Sequence, residues 1–345
     1  MPNHPQKSSE MPMRIMIVTD AWKPQVNGVV TTLGKTCDTL KSMGHEVSVI
    51  EPSHFKTLPC PTYPEIRLAI HPRRRVYETI EKFQPTHIHI ATEGPLGLTA
   101  RRYCVQHNLS FTTSYHTQFP EYIRHRFPLP LKISYAYFQW FHKKATRTMV
   151  GTEHLKTLLQ QQKFNNIVLW SRGVDTQTFK PKSKDFLTYP RPIWIYVGRV
   201  AVEKNIQEFL SLDLPGTKVV IGHGPAKDSL STQFPDVKFE GYKHGDELAS
   251  YIAAGDVFVF PSVTDTFGVV MLEAMACGLP VAAFPVTGPR DVVRDGQTGC
   301  LNEDLKTAAM DALKLNPQDC LRQAQEYTWK QATNQFIHHL TRINS

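Results

Sequence analysis

The chain has few cysteines, and none of them is placed for a shared site. Its six cysteines lie far apart and form no Cys-x-x-Cys pair, which disfavours both a zinc site and a disulfide framework. The sequence also contains no Asp-x-Asp motif, and no His/Cys cluster has the spacing of metal ligands. We therefore predict a protein that works without a catalytic metal in a reducing cytosol.

Long apolar runs are also missing. A helix needs roughly 18–20 apolar residues to cross a bilayer, whereas the longest apolar candidates are short strands such as Ile193–Val197 and Val257–Phe260. The first residues are polar and lack the apolar core of a signal peptide. We expect a disordered leader over residues 1–13, no membrane span and a cytoplasmic location.

The net charge of +8 is unevenly distributed. Residues 1–185 hold 25 basic and 13 acidic residues, a net of +12, whereas residues 186–345 hold 14 and 18, a net of −4. Either the first half binds an anionic partner, or its basic residues simply form a solvent-exposed surface. Both interpretations stay open at this point.

The order of predicted elements indicates two α/β domains. A chain of 345 residues exceeds the roughly 250–300 at which a single core stops growing. Arg14–Asp20 is a short apolar run that leads through a glycine-containing loop into a helical pattern, which is the opening of a doubly wound parallel sheet. A polar, proline-containing stretch precedes a second series that begins at Ile193–Arg199.

We therefore predict two Rossmann-like, doubly wound parallel-sheet domains with a ligand cleft between them. The predicted limits are residues 14–185 for the first domain and 186–327 for the second. Residues 328–345 are predicted to form a helix that packs on a domain surface, because its apolar residues fall on one stripe.

Two glycine-containing turns follow strands of the second series. They begin at Gly198 and Gly222, and each would present backbone N–H groups to an anion at a helix start. The first turn adds Arg199 and Lys204, so that both cations could reach one diphosphate. The competing interpretation is a surface salt-bridge cluster.

Two acids mark the loop and helix that follow a later strand. Asp265 lies in the loop, and Glu273 lies eight residues on, inside an apolar helix that begins near Gly268. A carboxylate in such a helix needs hydrogen-bond partners, and ligand hydroxyls are suitable ones. The simpler alternative to a ligand site is a capped helix with one acid on its solvent-exposed side.

These segments together resemble glycosyltransferase family 4. The resemblance rests on Gly198–Asn205, on Asp265–Glu273 and on the Ala-Met-Ala-Cys-Gly-Leu-Pro-Val run that follows. Asn27-Gly28-Val29, Ser114-Tyr115-His116-Thr117 and Gly173-Val174-Asp175 with Phe179 fit as well, so nearly the whole chain is covered. Within the family, Glu93-Gly94-Pro95-Leu96-Gly97 and Tyr115-His116-Thr117 resemble a branch of bacterial α-mannosyltransferases and sulfoquinovosyl- or glucosyl-diacylglycerol synthases.

The resemblance implies the GT-B fold and retaining transfer of a hexose from a nucleotide-sugar, which is a substrate rather than a cofactor. It places Arg199 and Lys204 on the donor diphosphate, Asp265 on the sugar hydroxyls and Glu273 on the ribose. The resemblance also implies that backbone N–H groups around Phe267, Gly268, Val269 and Val270, at the helix start, contact the phosphates. It further implies that Gly28 lets the first glycine loop approach the diphosphate and that His116 lies beside the sugar.

Two departures from the family pattern concern the donor. The first acid is usually Glu, whereas this chain has Asp265, which is one methylene shorter. His223 stands between two glycines where an acid is common. By resemblance, GDP-mannose is the first expectation for the donor and a UDP-hexose the second, with a lipid or glycan as acceptor.

Two other classes of protein share some of these features. A nicotinamide-dependent dehydrogenase shares the strand, glycine loop and helix units, but Gly-x-Gly-x-x-Gly is absent after the first strand. A basic nucleic-acid-binding protein is suggested by Arg73-Arg74-Arg75 and Arg101-Arg102, yet it leaves the two acids unexplained. We expect no nucleic-acid partner.

One segment suggests peripheral contact with an anionic membrane. Leu131–Arg147 interleaves aromatic residues with cations at helical spacing, as an interfacial helix does. The aromatic residues are Tyr135, Tyr137, Phe138, Trp140 and Phe141, and the cations are Lys132, Lys143, Lys144 and Arg147. The alternative is that the aromatic residues belong to the core and the lysines are merely solvated.

Overall fold

A computed structural model describes residues 12–25, 27–60, 63–116, 131–265 and 267–344. Most of the predicted leader, residues 1–11, therefore lies outside the described residues, as do Thr117 and the side chain of Lys132. The chain divides into two compact units. The first comprises residues 1–114, 140–148 and 337–345, and the second comprises residues 115–139 and 149–336.

The first parallel sheet has the strand order β2-β1-β5-β6-β7-β8. Parallel pairing of β1 with both β2 and β5 places the first strand inside this sheet, between the edge strand β2 and β5. Strands β3 and β4 form a separate antiparallel hairpin that the sequence did not reveal. The strands are β1 (Arg14–Val18), β2 (Glu46–Ile50), β3 (Thr57–Cys60), β4 (Tyr63–Ala69), β5 (His87–Ile90), β6 (Thr112–Tyr115), β7 (Arg147–Val150) and β8 (Ile167–Leu169).

The second parallel sheet has the order β11-β10-β9-β12-β13-β14. Its first strand, β9, again lies in the middle, between β10 and β12. Because each sheet grows outward in both directions from its first strand, both are doubly wound. The strands are β9 (Ile193–Val197), β10 (Thr217–Ile221), β11 (Lys238–Gly241), β12 (Val257–Phe260), β13 (Val281–Ala283) and β14 (Gly299–Leu301).

Helices connect these strands, and three more helices follow the last strand. In the first half they are α1 (Gly28–Ser42), α2 (Arg73–Phe83), α3 (Pro95–Gln106), α4 (Leu131–His142) and α5 (Glu153–Gln161). In the second half they are α6 (Ile206–Ser211), α7 (Lys227–Gln233), α8 (Gly245–Ala254), α9 (Val269–Ala276), α10 (Pro289–Val292), α11 (Leu305–Ala312), α12 (Pro317–Ala324) and α13 (Trp329–His339).

The central strands are buried on both faces, as parallel sheets require. All four residues of β12 and the first four of β9 are buried, and β5 and β6 are buried throughout. The fold is therefore two parallel-sheet α/β domains, as the sequence predicted. The boundary predicted at residue 185 and the predicted cleft stay predictions.

The last helix packs against the end of β8. Trp170 follows β8, and its indole N–H donates to the Ala332 carbonyl at 3.1 Å. The Trp170 and Phe336 rings lie 4.8 Å apart. Gly173 fits here because a Cβ would lie 2.5 Å from the backbone nitrogen of Trp329.

None of the helices in the described parts of the chain has the length and apolarity that a membrane crossing requires.

Candidate functional site

The strongest candidate site lies at the switch point of the second sheet, where the order of the strands reverses. Strands β9 and β12 are parallel neighbours although they are not consecutive, so their carboxyl ends and the loops that follow lie at the same edge. In doubly wound folds, ligands bind at this switch point. The two loops carry Arg199, Lys204 and Asp265.

The two glycine turns of this sheet lie back to back. A Cβ on Gly222 would lie 1.9 Å from the Gly198 carbonyl oxygen, and one on Gly224 would lie 2.3 Å from that of Val200. The N–H groups of Gly198 and Val200 donate to the carbonyls of Ile221 and His223. These two donors therefore hold the turns together and are not directed at an anion, which corrects part of the prediction for the first turn.

Lys204 and Asp265 form an ion pair across the switch point. The Lys204 ammonium lies 2.6 Å from Oδ1 of Asp265, and the two side chains are 30% and 24% exposed. The Asn205 amide donates to the Pro261 carbonyl at 3.2 Å and fastens the same two loops together. The family resemblance implies that Lys204 binds a diphosphate and Asp265 a sugar, and the structure places the two side chains in contact.

The environment of Asp265 keeps its carboxylate ionised. Burial alone would raise the pKa of Asp265, but the charge of Lys204 and its hydrogen bond outweigh burial and hold that pKa below its usual range. Oδ2 of Asp265 is buried, and the Ser262 hydroxyl beside the carboxylate also lowers its pKa. The carboxylate is thus an ionised acceptor that a ligand hydroxyl could use.

Arg199 lies at the same edge and faces a different acid. Its Nε is 3.9 Å from a carboxylate oxygen of Glu203, and its side chain is 36% exposed. Tyr196, the fourth residue of β9, donates its hydroxyl to the Arg199 carbonyl at 2.8 Å and fixes the start of the loop. Arg199 is therefore held at the rim of the site.

Helix α9 begins beside Asp265. Gly268 has a φ of 78°, in the left-handed region that favours glycine, and lies against the Phe260 ring and the Met271 side chain. Phe267 is buried, whereas Val269 and Val270 are half-buried at the helix start. Glu273 is the half-buried acid on this helix, between the buried residues Leu272 and Ala274.

The switch point of the first sheet lies between β1 and β5. Asp20 follows β1 and accepts hydrogen bonds from the Thr92 hydroxyl at 2.8 Å and from the N–H groups of Leu96 and Gly97 in the first turn of α3. Burial raises the pKa of Asp20 despite these bonds. This acid caps a helix inside the protein.

Gly28 opens α1, and Asn27 caps that helix by accepting from the N–H groups of Val29 and Val30. A Cβ on Gly28 would meet no atom within 4 Å. Neither a neighbouring atom among the described residues nor a positive φ therefore requires a glycine here.

His116 follows β6 and contacts an arginine that the sequence analysis missed. Nη2 of Arg172 lies 3.3 Å from Nδ1 of His116. Arg172 also stacks on the Trp170 ring, with its Cζ 4.6 Å from the ring centroid. A cation placed three residues after strand β8, in the sequence Leu-Trp-Ser-Arg-Gly, was the available signal.

Arg172 connects His116 to the region of Phe267. A Cβ on Gly151 would lie 3.5 Å from both Nη2 of Arg172 and the Phe267 ring. The structure thus brings Lys204 and Asp265 into contact, keeps Arg199 on the same loop, and places Arg172 beside His116. Gly28 belongs to the other unit.

Across the described residues, no group of three or more histidines, cysteines and acids is arranged to hold a metal ion. The cysteines in these ranges are free thiols.

Comparison with known families decides the class of protein. Residues 26–178 match the family described as Glycosyltransferase Family 4, and residues 191–315 match the one described as Glycosyl transferases group 1. The chain belongs to glycosyltransferase family 4. The resemblance seen in the sequence is confirmed, and the dehydrogenase and nucleic-acid-binding interpretations are set aside.

Curated relatives of this glycosyltransferase differ in the sugars and acceptors that their names give. It is 30% identical over 320 residues to a GDP-mannose-dependent α-mannosyltransferase of Mycolicibacterium smegmatis, covering 84% of each chain. It is 32% identical over 290 residues to the sulfoquinovosyl transferase SQD2 of Arabidopsis thaliana, covering 75% of this chain but only 57% of the plant protein. It is 24% identical over 350 residues to an α-monoglucosyldiacylglycerol synthase of Streptococcus pneumoniae, covering 88% and 79%.

Solved structures show the same fold at low identity. A sucrose-phosphate synthase from Thermosynechococcus elongatus superimposes with a TM-score of 0.76 at 20% identity, covering 94% of this glycosyltransferase and 98% of that chain. The predicted GT-B fold is therefore confirmed.

Proposed function

We propose that this glycosyltransferase transfers a hexose, with retention and without a metal ion, from a nucleotide-sugar to a lipid or glycan acceptor. Mannose from GDP-mannose is the first candidate, since the mannosyltransferase relative is covered over 84% of its length. A UDP-hexose-dependent glycolipid synthase is the alternative, supported by the diacylglycerol relative.

The observation that carries this proposal is the Lys204–Asp265 pair at the switch point of the second sheet. A donor diphosphate would take the Lys204 ammonium as a partner, since Lys acts as a compact charge for phosphate. Asp265 would stay ionised and accept a hydroxyl of the sugar. Arg199 would add its guanidinium from the rim.

The proposed chemistry relies on fixed positive charge. Arg199, Lys204 and backbone N–H groups at the start of α9 would stabilise the negative charge that builds on the leaving diphosphate. Glu273 would hold the ribose hydroxyls, and Gly28 would admit the diphosphate close to the first loop. The acceptor hydroxyl would attack from the face that the diphosphate leaves, while Asp265 and His116 hold the oxocarbenium-like sugar. A departing phosphate oxygen would take the acceptor proton.

Donor choice is tested by thermal unfolding against a panel of nucleotide-sugars. A ligand at 100 times its Kd stabilises the folded state by about 2.7 kcal/mol. We expect GDP-mannose to give the largest rise in Tm and Lys204→Ala to abolish that rise. A rise with a UDP-hexose alone selects the alternative donor, and no rise with any nucleotide-sugar contradicts the proposal.

Metal use and stereochemistry need a transfer assay with the selected donor. Activity should persist in excess EDTA, and the anomeric proton of the first product, read by NMR, should show the configuration of the donor. Loss in EDTA that Mg²⁺ or Mn²⁺ restores contradicts the metal-free mechanism. An inverted product contradicts retention.

Peripheral contact with a membrane is part of the proposal, and α4 is its candidate surface. Phe138 and Phe141 are buried in the core, so the alternative interpretation holds for them. Ile133, Tyr137 and Trp140 are 56%, 38% and 52% exposed and follow one another at i, i+4 and i+7, which places them on one stripe. We call these three residues the α4 stripe.

Two exposed lysines, Lys143 and Lys144, follow the α4 stripe. Apolar residues beside cations suit an interface with anionic lipid, where each cation contributes about 1 kcal/mol. We therefore propose that the enzyme binds at the cytoplasmic face of an anionic membrane through the α4 stripe.

The membrane proposal is tested by co-sedimentation with vesicles containing anionic lipid. Binding should be strong at low salt, fall steeply as salt rises, and weaken in Lys143→Glu/Lys144→Glu. The matched control is Lys41→Glu/Lys82→Glu, which reverses two exposed lysines on α1 and α2. Equal binding to neutral vesicles, or equal losses in the two double variants, contradicts docking through α4.

A further inference from the structure

Arg172 is an unusual residue for the interior of a protein. Its side chain is almost completely enclosed, with 5% of the residue exposed, and burial lowers its pKa to about 10. No carboxylate among the described residues forms an ion pair with it. Buried cations are normally paired, so this one is retained at a cost in stability, and its contacts should show why.

The backbone and one aromatic ring hold the guanidinium in place. Nη1 donates to the carbonyls of Trp170 at 2.6 Å and Ser171 at 3.3 Å. The guanidinium stacks on the indole of Trp170. That indole is fully buried and is itself fixed by its hydrogen bond to the Ala332 carbonyl. Arg172 is therefore a rigid group rather than a mobile surface charge.

A third hydrogen bond of Arg172 is directed at His116. Nη2 lies 3.3 Å from Nδ1 of the imidazole. A guanidinium has donors and no acceptor, so Nδ1 must contribute its lone pair to this bond. In the neutral ring the proton then resides on Nε2.

We infer that Arg172 is a positioning residue that fixes the orientation and the Nε2–H tautomer of His116. His116 is thereby a hydrogen-bond donor toward the sugar rather than a base acting through Nδ1. The role in transfer rests on the proposed function, whereas the tautomer follows from the contact between the two side chains. A histidine is commonly held in one tautomer by the partner of its other nitrogen.

The direct test is NMR of the uniformly ¹⁵N-labelled protein at neutral pH, without substrate. Two-bond ¹H–¹⁵N correlations distinguish the two tautomers, and the His116 signals are those missing in His116→Gln. We expect the pattern of a ring protonated at Nε2 only. A proton on Nδ1, in the neutral or the doubly protonated ring, overturns the inference. This result does not depend on any transfer activity, so it can fail or succeed independently of the proposed function.

The second test is kinetic. Arg172→Met should lower kcat by about 10- to 100-fold, the range found when the partner that orients a metal-bound histidine is removed, while the KM for the donor changes less than about threefold. The double variant Arg172→Met/His116→Gln should be no slower than His116→Gln, because Arg172 acts through that ring. Losses that multiply in the double variant overturn the positioning role.

Arg101 provides the matched control. It is also a buried arginine, it donates to the carbonyls of Phe141 and Trp140 at 2.8 Å, and it stacks on Trp140 at 3.9 Å. With a water-soluble acceptor, Arg101→Met should lower Tm without the loss in kcat. An equal loss in kcat would show a general effect of removing a buried arginine and overturn the inference. If Arg172→Met fails to fold, the tautomer measurement on the wild-type protein decides alone.

Discussion

The two parallel sheets each place an acid at their switch point and use it differently. The carboxylate of Asp20, in the first sheet, accepts hydrogen bonds from the Thr92 hydroxyl and from two N–H groups of α3. Asp265, in the second sheet, pairs with Lys204, and both side chains stay partly exposed. A carboxylate enclosed by protein donors maintains structure, whereas a partly exposed ion pair can exchange its partner for a ligand. Acids beside the switch points of two similar sheets thus differ: Asp20 is structural, and Asp265 is the acid that we propose to be functional.

Lys204→Ala should have the largest effect on transfer. The variant removes a cation that would face the leaving diphosphate, and losing one such donor typically lowers kcat by 100- to 1000-fold. Stability should also fall, by about 1–3 kcal/mol, because Asp265 has a buried oxygen and would lose its cation. Steady-state kinetics and thermal unfolding measure the two effects separately.

Lys314→Ala is the control for that variant. Lys314 forms an equally close pair with Asp311, at 2.7 Å, on the surface beyond α11. Its removal should leave kcat and Tm nearly unchanged. Activity of Lys204→Ala within a few-fold of wild type would show that Lys204 does not belong to the site. The proposed distinction between a structural Asp20 and a functional Asp265 would then lose its support.

Sequence reasoning recovered the second sheet better than the first. Strands such as β9 and β12 are short apolar runs followed by glycine or proline, and the residues after them carry most of the family pattern. The β3–β4 hairpin was missed because Leu58 is 59% exposed and Pro59 interrupts the apolar alternation. Exposed, proline-containing strands give little signal of period two.

In both sheets, the contacts between loops could not be predicted from the sequence. Lys204 and Asp265 are 61 residues apart, and only the pairing of β9 with β12 brings them together. Arg172 was missed for the same reason, since its partner His116 is 56 residues away. Spacing along the chain predicts neighbours on one helix or strand, whereas sheet order decides which loops meet.

Asp20→Asn should cost more stability than Asp265→Asn. The new side-chain NH₂ at position 20 would face groups that are themselves donors, the Thr92 hydroxyl and the N–H groups of Leu96 and Gly97. An unsatisfied buried polar group costs about 1–3 kcal/mol. Asp265→Asn breaks a partly exposed pair that contributes about 0–1 kcal/mol. Urea unfolding of both variants measures the difference. A larger loss in Asp265→Asn would reverse the structural and functional assignment of the two acids.

Gly28→Ala tests whether the first loop also meets a ligand. A Cβ there meets no neighbouring atom, so the folded state should tolerate the change. If the diphosphate approaches this loop, the added methyl group should lower kcat/KM for the donor by roughly tenfold, which corresponds to about 1.4 kcal/mol.

Gly34→Ala is the matched control in the same helix, where a Cβ also meets no atom within 4 Å. It should stabilise α1 by about 0.5–1 kcal/mol, because alanine is the better helix former. It should leave kcat/KM unchanged. Equal kinetics in the two variants would show that Gly28 contacts no donor, and the loop of the first sheet would then be structural like Asp20.

The smallest expected effect is the opposite pH dependence of the two acids. Burial raises the pKa of Asp20 in the folded protein, so its contribution to the free energy of unfolding falls as the pH rises from the unfolded value of about 3.9 through the folded pKa. The pKa of Asp265 is held low against burial by Lys204. Its contribution is therefore complete above about 3.9 and is lost as the pH falls through the folded pKa. Urea unfolding between about pH 3 and pH 6 should give a difference between wild type and Asp20→Asn that shrinks as the pH rises, while the difference from Asp265→Asn grows. Two differences that change in the same direction would show that the acids share one kind of environment.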